Sequence, residues 1–386
     1  MIVLAESNPL QGLLSTIFRI AYSGIGVSLR NRQDGIEEHP PSGTCLAQKS
    51  LMDRLRKNLP KNCTFGREDW NVLAACWHPL AYSDAITDQP HSLKLLDEEL
   101  VVYRTSKAVV VAKDLCIHRG ARLSLGWLEG DELVCAYHGF RYGFEGKCTS
   151  VPAHPTLPIS EKLRLITFPT IEKYGLIWTC LSPAPLVDLA VWPELEDPTY
   201  HRIHLDPFDW RTSAARQAEN FLDITHFSWL HVGTFGNREK PEIEKYEVRQ
   251  TTTGLHMDYV YPMITPFGES MQTFSYDVTL PFSSRIQFPD LIPSRKYAIF
   301  VSACPISARL TRIFFFMAQD GPFEDIEGLI AFETKVFAED QRLVESQHPE
   351  ELPLDLSAEF HIRADQMSTA YRKALVKLGL GREYAS

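Results

Sequence analysis

The chain has 386 residues, 44% hydrophobic and 23% charged, with a formal net charge of −10. That length admits two domains or one large one, and so balanced a composition excludes a fibrous or wholly disordered chain. The acidic balance argues against nucleic acid or an anionic membrane surface as a partner, and eight cysteines spread this thinly are not a secreted disulfide framework, so a cytoplasmic location with reduced thiols is expected.

In chain order, the first patterned stretch is Leu10 to Leu29. Leu10, Leu13, Leu14, Ile17, Phe18 and Ala21 fall on one helical face. Arg19 interrupts the stretch and no basic region precedes it, which fits neither a membrane span of about 20 apolar residues nor a signal peptide. An amphipathic helix or a loosely ordered extension is expected. Residues 31–66, with Pro40, Pro41, Gly43, Pro60 and several charges, read as a linker, so 1–66 form an N-terminal extension.

A first domain is expected over 67–185, with its folded body starting near Trp70. LVVYRTSKAVVVAKDL is two β-branched runs around a polar turn, a hairpin signal, and GDELVCAYHGFRYGFEGKC is a further strand-and-turn series. YGLIWTCL precedes a Pro-rich break, SPAP at 182–185, where the boundary is placed. The second domain, 186–386, mixes types. Residues 213–232 and 323–347 read as helices, 245–318 as strands, and 357–379 as an amphipathic helix.

Two short clips stand out in the first domain. Cys116-Ile117-His118 is C-x-H, and sixteen residues later Cys135-Ala136-Tyr137-His138 is C-x-x-H. Two thiolates hold one iron and two imidazoles the other in a Rieske [2Fe–2S] centre. The same four residue types also suit tetrahedral zinc, but such sites usually pair a two-cysteine clip with a two-histidine clip. Here each clip mixes the two. Glycines follow both clips, Gly120 and Gly139, and let the backbone approach a cluster and donate to its sulfurs.

CIHRGARLSLGWLEGDELVCAYHGFRYGFEG resembles the Rieske domain of bacterial aromatic-ring hydroxylases and O- or N-demethylases. Respiratory Rieske proteins carry two further cysteines that form a disulfide across the loops. Ala121 and Tyr137 stand at those positions, which implies a lower-potential, oxygenase-type cluster.

The second constellation lies in the expected helix 213–232. His226 and His231 are five residues apart, which on a regular helix is about 500° of rotation and leaves them roughly 140° apart. They face one metal only if the helix bends or ends between them. A histidine pair on a helix is more often structural, but a cluster in the same chain favours the two-His-one-carboxylate triad of non-haem Fe(II) oxygenases. The carboxylate candidates are Glu333, Glu339, Asp340 and Glu345; a solvated helix face is the plainer reading of that charge run.

ENFLDITHFSWLHVGTFG resembles the N-x-x-D-x-x-H-x(4)-H mononuclear-iron motif of the same oxygenases. The resemblance implies His226 and His231 as iron ligands, Asp223 as the acid linking iron to the cluster of a neighbouring subunit, and Asn220 as a close neighbour. FAEDQRLVESQ resembles the run in which the Asp of Glu-Asp is the third ligand, here Asp340. The tail EFHIRADQMSTAYRKAL resembles the vanillate demethylase and phthalate oxygenase branch, with Asp365 and Arg372 structural.

The implied fold is α+β: an all-β Rieske domain followed by a mixed α/β catalytic domain with an antiparallel sheet and helices. The implied protein is a terminal oxygenase subunit holding a [2Fe–2S] cluster and mononuclear Fe(II), assembled as a homotrimer. It takes electrons from NAD(P)H through a separate reductase or ferredoxin, since the chain has no G-x-G-x-x-G fingerprint. It hydroxylates or oxidatively demethylates an aromatic or other cyclic small molecule, with monooxygenation favoured over cis-dihydroxylation. The rivals are a Rieske electron carrier, with two irons per chain in place of three, and a zinc-holding sensory or structural protein.

Overall fold

The computed structural model describes residues 59–156, 158–265, 268–292 and 295–381. The stretch Leu10 to Leu29 and most of the expected linker lie outside them. Helix α1 (Arg67–Leu73) opens the described body, with Trp70 buried and its indole nitrogen bonded to the Leu96 carbonyl at 2.8 Å.

Eleven strands follow: β1 (His78–Tyr82), β2 (His91–Leu95), β3 (Glu98–Arg104), β4 (Val109–Lys113), β5 (Trp127–Glu129), β6 (Glu132–Val134), β7 (Arg141–Tyr142), β8 (Cys148–Ser150), β9 (Thr167–Phe168), β10 (Thr170–Lys173) and β11 (Leu176–Thr179). They form three small antiparallel sheets, ordered β1-β11-β10, β2-β3-β4-β9 and β5-β6-β7-β8. The hairpin expected around Thr105-Ser106-Lys107 is β3–β4, with Arg104 opposite Val109.

The second half is built on one eight-stranded antiparallel sheet. Its strands are β12 (Tyr200–His204), β13 (Phe208–Trp210), β14 (Val248–Gln250), β15 (Gly254–Thr265), β16 (Gly268–Thr279), β17 (Ser283–Ile292), β18 (Arg295–Ser307) and β19 (Leu310–Asp320). The order is β12-β19-β18-β17-β16-β15-β14, with β13 also on β19. Long β-branched and aromatic runs such as YAIFVSACPI suit a sheet whose central strand β18 is almost wholly buried. One inner-face row runs across neighbouring strands: Tyr259 opposite Phe274, Phe288 opposite Tyr297, and Tyr297 opposite Gln319.

Four helices complete this half: α2 (Ala214–Leu222), α3 (Phe227–Leu230), α4 (Ile326–Val344) and α5 (Gln366–Leu378). Two expectations need correction here. The single helix over 213–232 is two, because Asp223 leaves helical geometry at φ −81°, ψ 125° and its carboxylate captures the Thr225 amide at 2.8 Å. Such an Asx-type bond competes with the helical ladder, and the β-branched Ile224 and Thr225 weaken helix further. The tail helix starts at Gln366 rather than near 357. Asp365 stands at its N-cap without a side-chain cap bond, and its carboxylate folds back onto the Ile362 amide at 2.8 Å, in the turn before the helix.

Arg372 of α5 makes a buried bidentate pair with Glu219 of α2, at 2.6 and 2.8 Å, and also meets Glu359. That is the structural role expected of it. Two hydrophobic cores are present. The larger joins α1, β1 and β11 to the catalytic sheet and helices. The smaller lies under the clips and includes Val101, Tyr103, Cys116, Leu133, Cys135, Tyr142, Cys148 and Leu165. Among the described residues no helix is long and apolar enough to cross a membrane.

Candidate metal centres

The first clip occupies the connection from β4 to β5 and the second that from β6 to β7. Their backbones repeat one another. The Cys116 amide bonds the Ala121 carbonyl and the Gly120 amide bonds the Cys116 carbonyl, at 2.8 and 2.9 Å; the Cys135 amide bonds the Phe140 carbonyl and the Gly139 amide the Cys135 carbonyl, each at 2.9 Å. Gly120 and Gly139 hold φ of +72° and +70°, a left-handed turn that a side chain would strain, and a Cβ on Gly139 would sit 3.1 Å from Pro152.

Cys116 and Cys135 are buried at 2% and 1% exposure, while His118 is half-buried and His138 exposed. The two imidazoles lie 4.5 Å apart between ring centres, and His118 stacks on Phe140 at 4.6 Å. Slight desolvation and the charges of His138 and Arg119 hold His118 below its ordinary pKa, which favours the neutral, ligating form. Its Nδ1 is buried and has no hydrogen-bond partner in the protein. An orphan imidazole nitrogen beside two buried thiols is what a [2Fe–2S] cluster would satisfy. The Tyr142 hydroxyl meets the Cys116 sulfur at 3.1 Å, an interaction no sequence feature signalled.

The second site lies where the helix expected over 213–232 breaks. His226 precedes α3 and His231 follows it, so the turn between them replaces the divergence of a continuous helix. Their ring centres are 5.1 Å apart. Asp340 comes from α4, where Glu333, Phe337, Asp340 and Val344 form one buried stripe at helical spacing. Its Oδ1 lies 3.4 Å from His226 Nε2 and 3.3 Å from His231 Nε2. Donor atoms of His226, His231 and Asp340 all fall within 4.8 Å of one another. Asn220 donates to Asp340 Oδ1 at 3.3 Å, so it too belongs to the site.

Each imidazole also has a carboxylate behind it. Asp223 Oδ2 faces His226 Nδ1 at 3.2 Å, and Glu339 Oε2 faces His231 Nδ1 at 2.9 Å. Protons held on both Nδ1 atoms leave both Nε2 lone pairs facing the gap beside Asp340. The donor set, two nitrogens and one oxygen with both histidines fixed from behind, fits a ferrous ion with open positions. A non-helical turn, not a shared helix face, brings Asp223 and His226 together. The Glu345 carboxylate lies elsewhere, on the Arg211 amide at 2.9 Å. Burial pushes the Glu333 carboxyl up to about 8, with His231 and Asp340 as the charges acting on it.

Residues 76–169 match the Rieske [2Fe-2S] domain family and 210–380 the vanillate O-demethylase oxygenase C-terminal domain. The methylxanthine N1-demethylase NdmA of Pseudomonas putida is 33% identical over 311 residues, covering 78% of this chain and 88% of that protein. The chain belongs to the Rieske non-haem iron oxygenases. The solved structure of NdmA from P. putida CBB5 with caffeine superposes with a TM-score of 0.75 at 31% identity, over 82% of this chain and 94% of that one. A vanillate O-demethylase oxygenase subunit from Pseudomonas sp. (strain HR199 / DSM 7063) is 31% identical over 215 residues, 50% of this chain and 54% of that protein.

This Rieske oxygenase carries a [2Fe–2S] cluster and a mononuclear iron, and uses O2 and electrons from NAD(P)H, through a separate reductase, to hydroxylate or oxidatively demethylate aromatic or other cyclic compounds. When bound, the cluster supplies single electrons and the iron activates O2. Phe227 packs edge-on against Tyr261 at 5.5 Å and tilted against Phe274 at 5.9 Å, and His231 stacks on Phe235 at 4.9 Å. These rings help keep His231 out of water.

Proposed function

We propose that this oxygenase removes a methyl group from an uncharged, planar, methylated heteroaromatic compound. The observation that carries the reading is the inner face of the sheet beside the histidine pair. Phe274 meets Phe288 at 4.8 Å and Phe288 meets Tyr297 at 5.7 Å, a continuous aromatic surface. The Tyr297 hydroxyl in this face is buried and without a protein partner; burial raises its pKa, and Glu333 lies near enough to raise it further. Burial keeps Glu333 protonated near neutral pH, so both groups offer O–H donors to a substrate carbonyl or ring nitrogen. The likeness to a methylxanthine demethylase supports the same class.

In this reading Cys116, His118, Cys135 and His138 hold the cluster, and His226, His231 and Asp340 hold the iron. Asn220 steadies Asp340, and Asp223 steadies His226. The Rieske domain spans 67–185 and the catalytic domain 186–386, in a cytoplasmic homotrimer. The test is turnover of caffeine, theobromine and vanillate by the holoenzyme with a surrogate reductase and NADH, followed by product mass and formaldehyde release. Oxygen-dependent demethylation of an uncharged N-methyl compound is expected, at least tenfold faster in wild type than in Glu333→Leu. Turnover of vanillate alone would overturn the reading.

A further inference from the structure

We infer that Glu339 is the positioning residue for His231, so that the adjacent carboxylates of α4 divide the work: Asp340 faces the metal and Glu339 fixes the ring. The inference rests on reading His226, His231 and Asp340 as the iron ligands. His231 is only 1% exposed, so its ring proton must be matched inside the protein. Glu339 Oε2 matches it at Nδ1, 2.9 Å away, while Nε2 points at Asp340 Oδ1, 3.3 Å away. The two ring nitrogens are thus held by consecutive residues, whose side chains leave a helix about 100° apart and approach one imidazole at both its nitrogens.

The arrangement has independent support on its outer side. Lys335, one turn earlier on α4, lies 3.7 Å from the other oxygen, Glu339 Oε1. One oxygen of Glu339 therefore faces a cation and the other the imidazole. Asp223 serves His226 differently. It is anchored in its own turn by the Thr225 amide and hydroxyl. His226 is thus oriented by a residue from its own segment and His231 by one from α4. The second of these bonds ties the two halves of the iron site together across 108 residues of sequence.

The test is Fe(II) binding by the full-length, cluster-loaded enzyme after its mononuclear iron has been chelated away. Glu339→Ala should weaken Fe(II) binding about 10- to 100-fold, the usual cost of losing such an outer carboxylate. Glu339→Gln should recover most of that affinity, because the amide oxygen still accepts from Nδ1. Cobalt-loaded Glu339→Ala, with the cluster oxidised and EPR-silent, should show a broadened high-spin Co(II) signal. His231→Ala and Asp340→Ala should bind no iron, and an unchanged cluster spectrum in every variant reports an intact fold.

Wild-type affinity and an unbroadened signal in Glu339→Ala would overturn the inference. So would Glu339→Gln losing iron as fully as Asp340→Ala, since Glu339 would then be a ligand. Iron retained by both His231→Ala and Asp340→Ala would defeat the underlying ligand reading instead.

Discussion

The Tyr142 hydroxyl and the Cys116 sulfur stand 3.1 Å apart, with both residues buried. A donor at a cluster sulfur stabilises the more negative, reduced state and so raises the potential. Tyr142→Phe removes that donor without changing the ring. A hydrogen bond to a charged group contributes about 1.5 kcal/mol or more, and 1.4 kcal/mol is a tenfold change. If the bond is stronger to the reduced cluster by about 1.4 kcal/mol, the variant lowers the cluster potential by about 60 mV, one tenfold step for one electron. Spectroelectrochemical titration of the intact enzyme checks it; an unchanged midpoint would assign the hydroxyl a packing role only.

Asp223 is the only group of the iron site whose carboxylate is both bonded to a histidine and nearly a third exposed, at 28%. His138 of the cluster is also exposed. A route between subunits, as the family resemblance implies, would run from His138 of one copy to Asp223 of the next in a closed head-to-tail ring. Asp223→Asn should keep both metal centres, because the amide oxygen still accepts from His226, and slow electron delivery about 10- to 100-fold, because an NH2 then stands where a carboxylate would accept a second imidazole proton. Stopped-flow bleaching of the reduced cluster reads the rate, and light scattering should find a trimer or a multiple of it. A monomer with full activity at high dilution would sink the inter-subunit route.

Arg372 and Glu219 tie α5 to α2 behind the iron site through two short, buried hydrogen bonds. Removing one partner leaves the other buried and unpaired. Arg372→Ala should therefore lose about 3–5 kcal/mol of stability, read as a lower denaturant midpoint. Loss below 1 kcal/mol would mean that Glu359 and Arg216, which also touch this cluster, absorb the change.

The cluster site was legible because all of its ligand types sit in two short clips, where spacing alone fixes the geometry. The iron histidines were legible as a pair. Their convergence was not, since it depends on the break at Asp223-Ile224-Thr225. An Asp two residues before a Thr, with β-branched neighbours, is a local signal that could have found it. The four acids of α4 were not separable by sequence, because their roles depend on how that helix is rotated against α3. The structure places Asp340 between the histidines, Glu339 behind one of them, Glu333 buried on the same stripe as Asp340 and Glu345 away from the site. The edge strands β12 and β13 carried no pattern strong enough to notice, being short and half-exposed.

The small core under the clips includes the two cluster cysteines among its buried members, together with Cys148 and Tyr142. The larger core, which carries the catalytic sheet, includes none of these residues. Cluster insertion is therefore a packing event for the clip-bearing unit. Ligand binding of this kind appears directly as folding free energy. Maturation in the cell then has an order: the catalytic body can close on its own residues, while the clip-bearing head reaches its final compactness only when iron and sulfide are delivered. A shortage of sulfide would leave a half-finished head on a folded catalytic body, and proteolysis under those conditions would begin at 116–138.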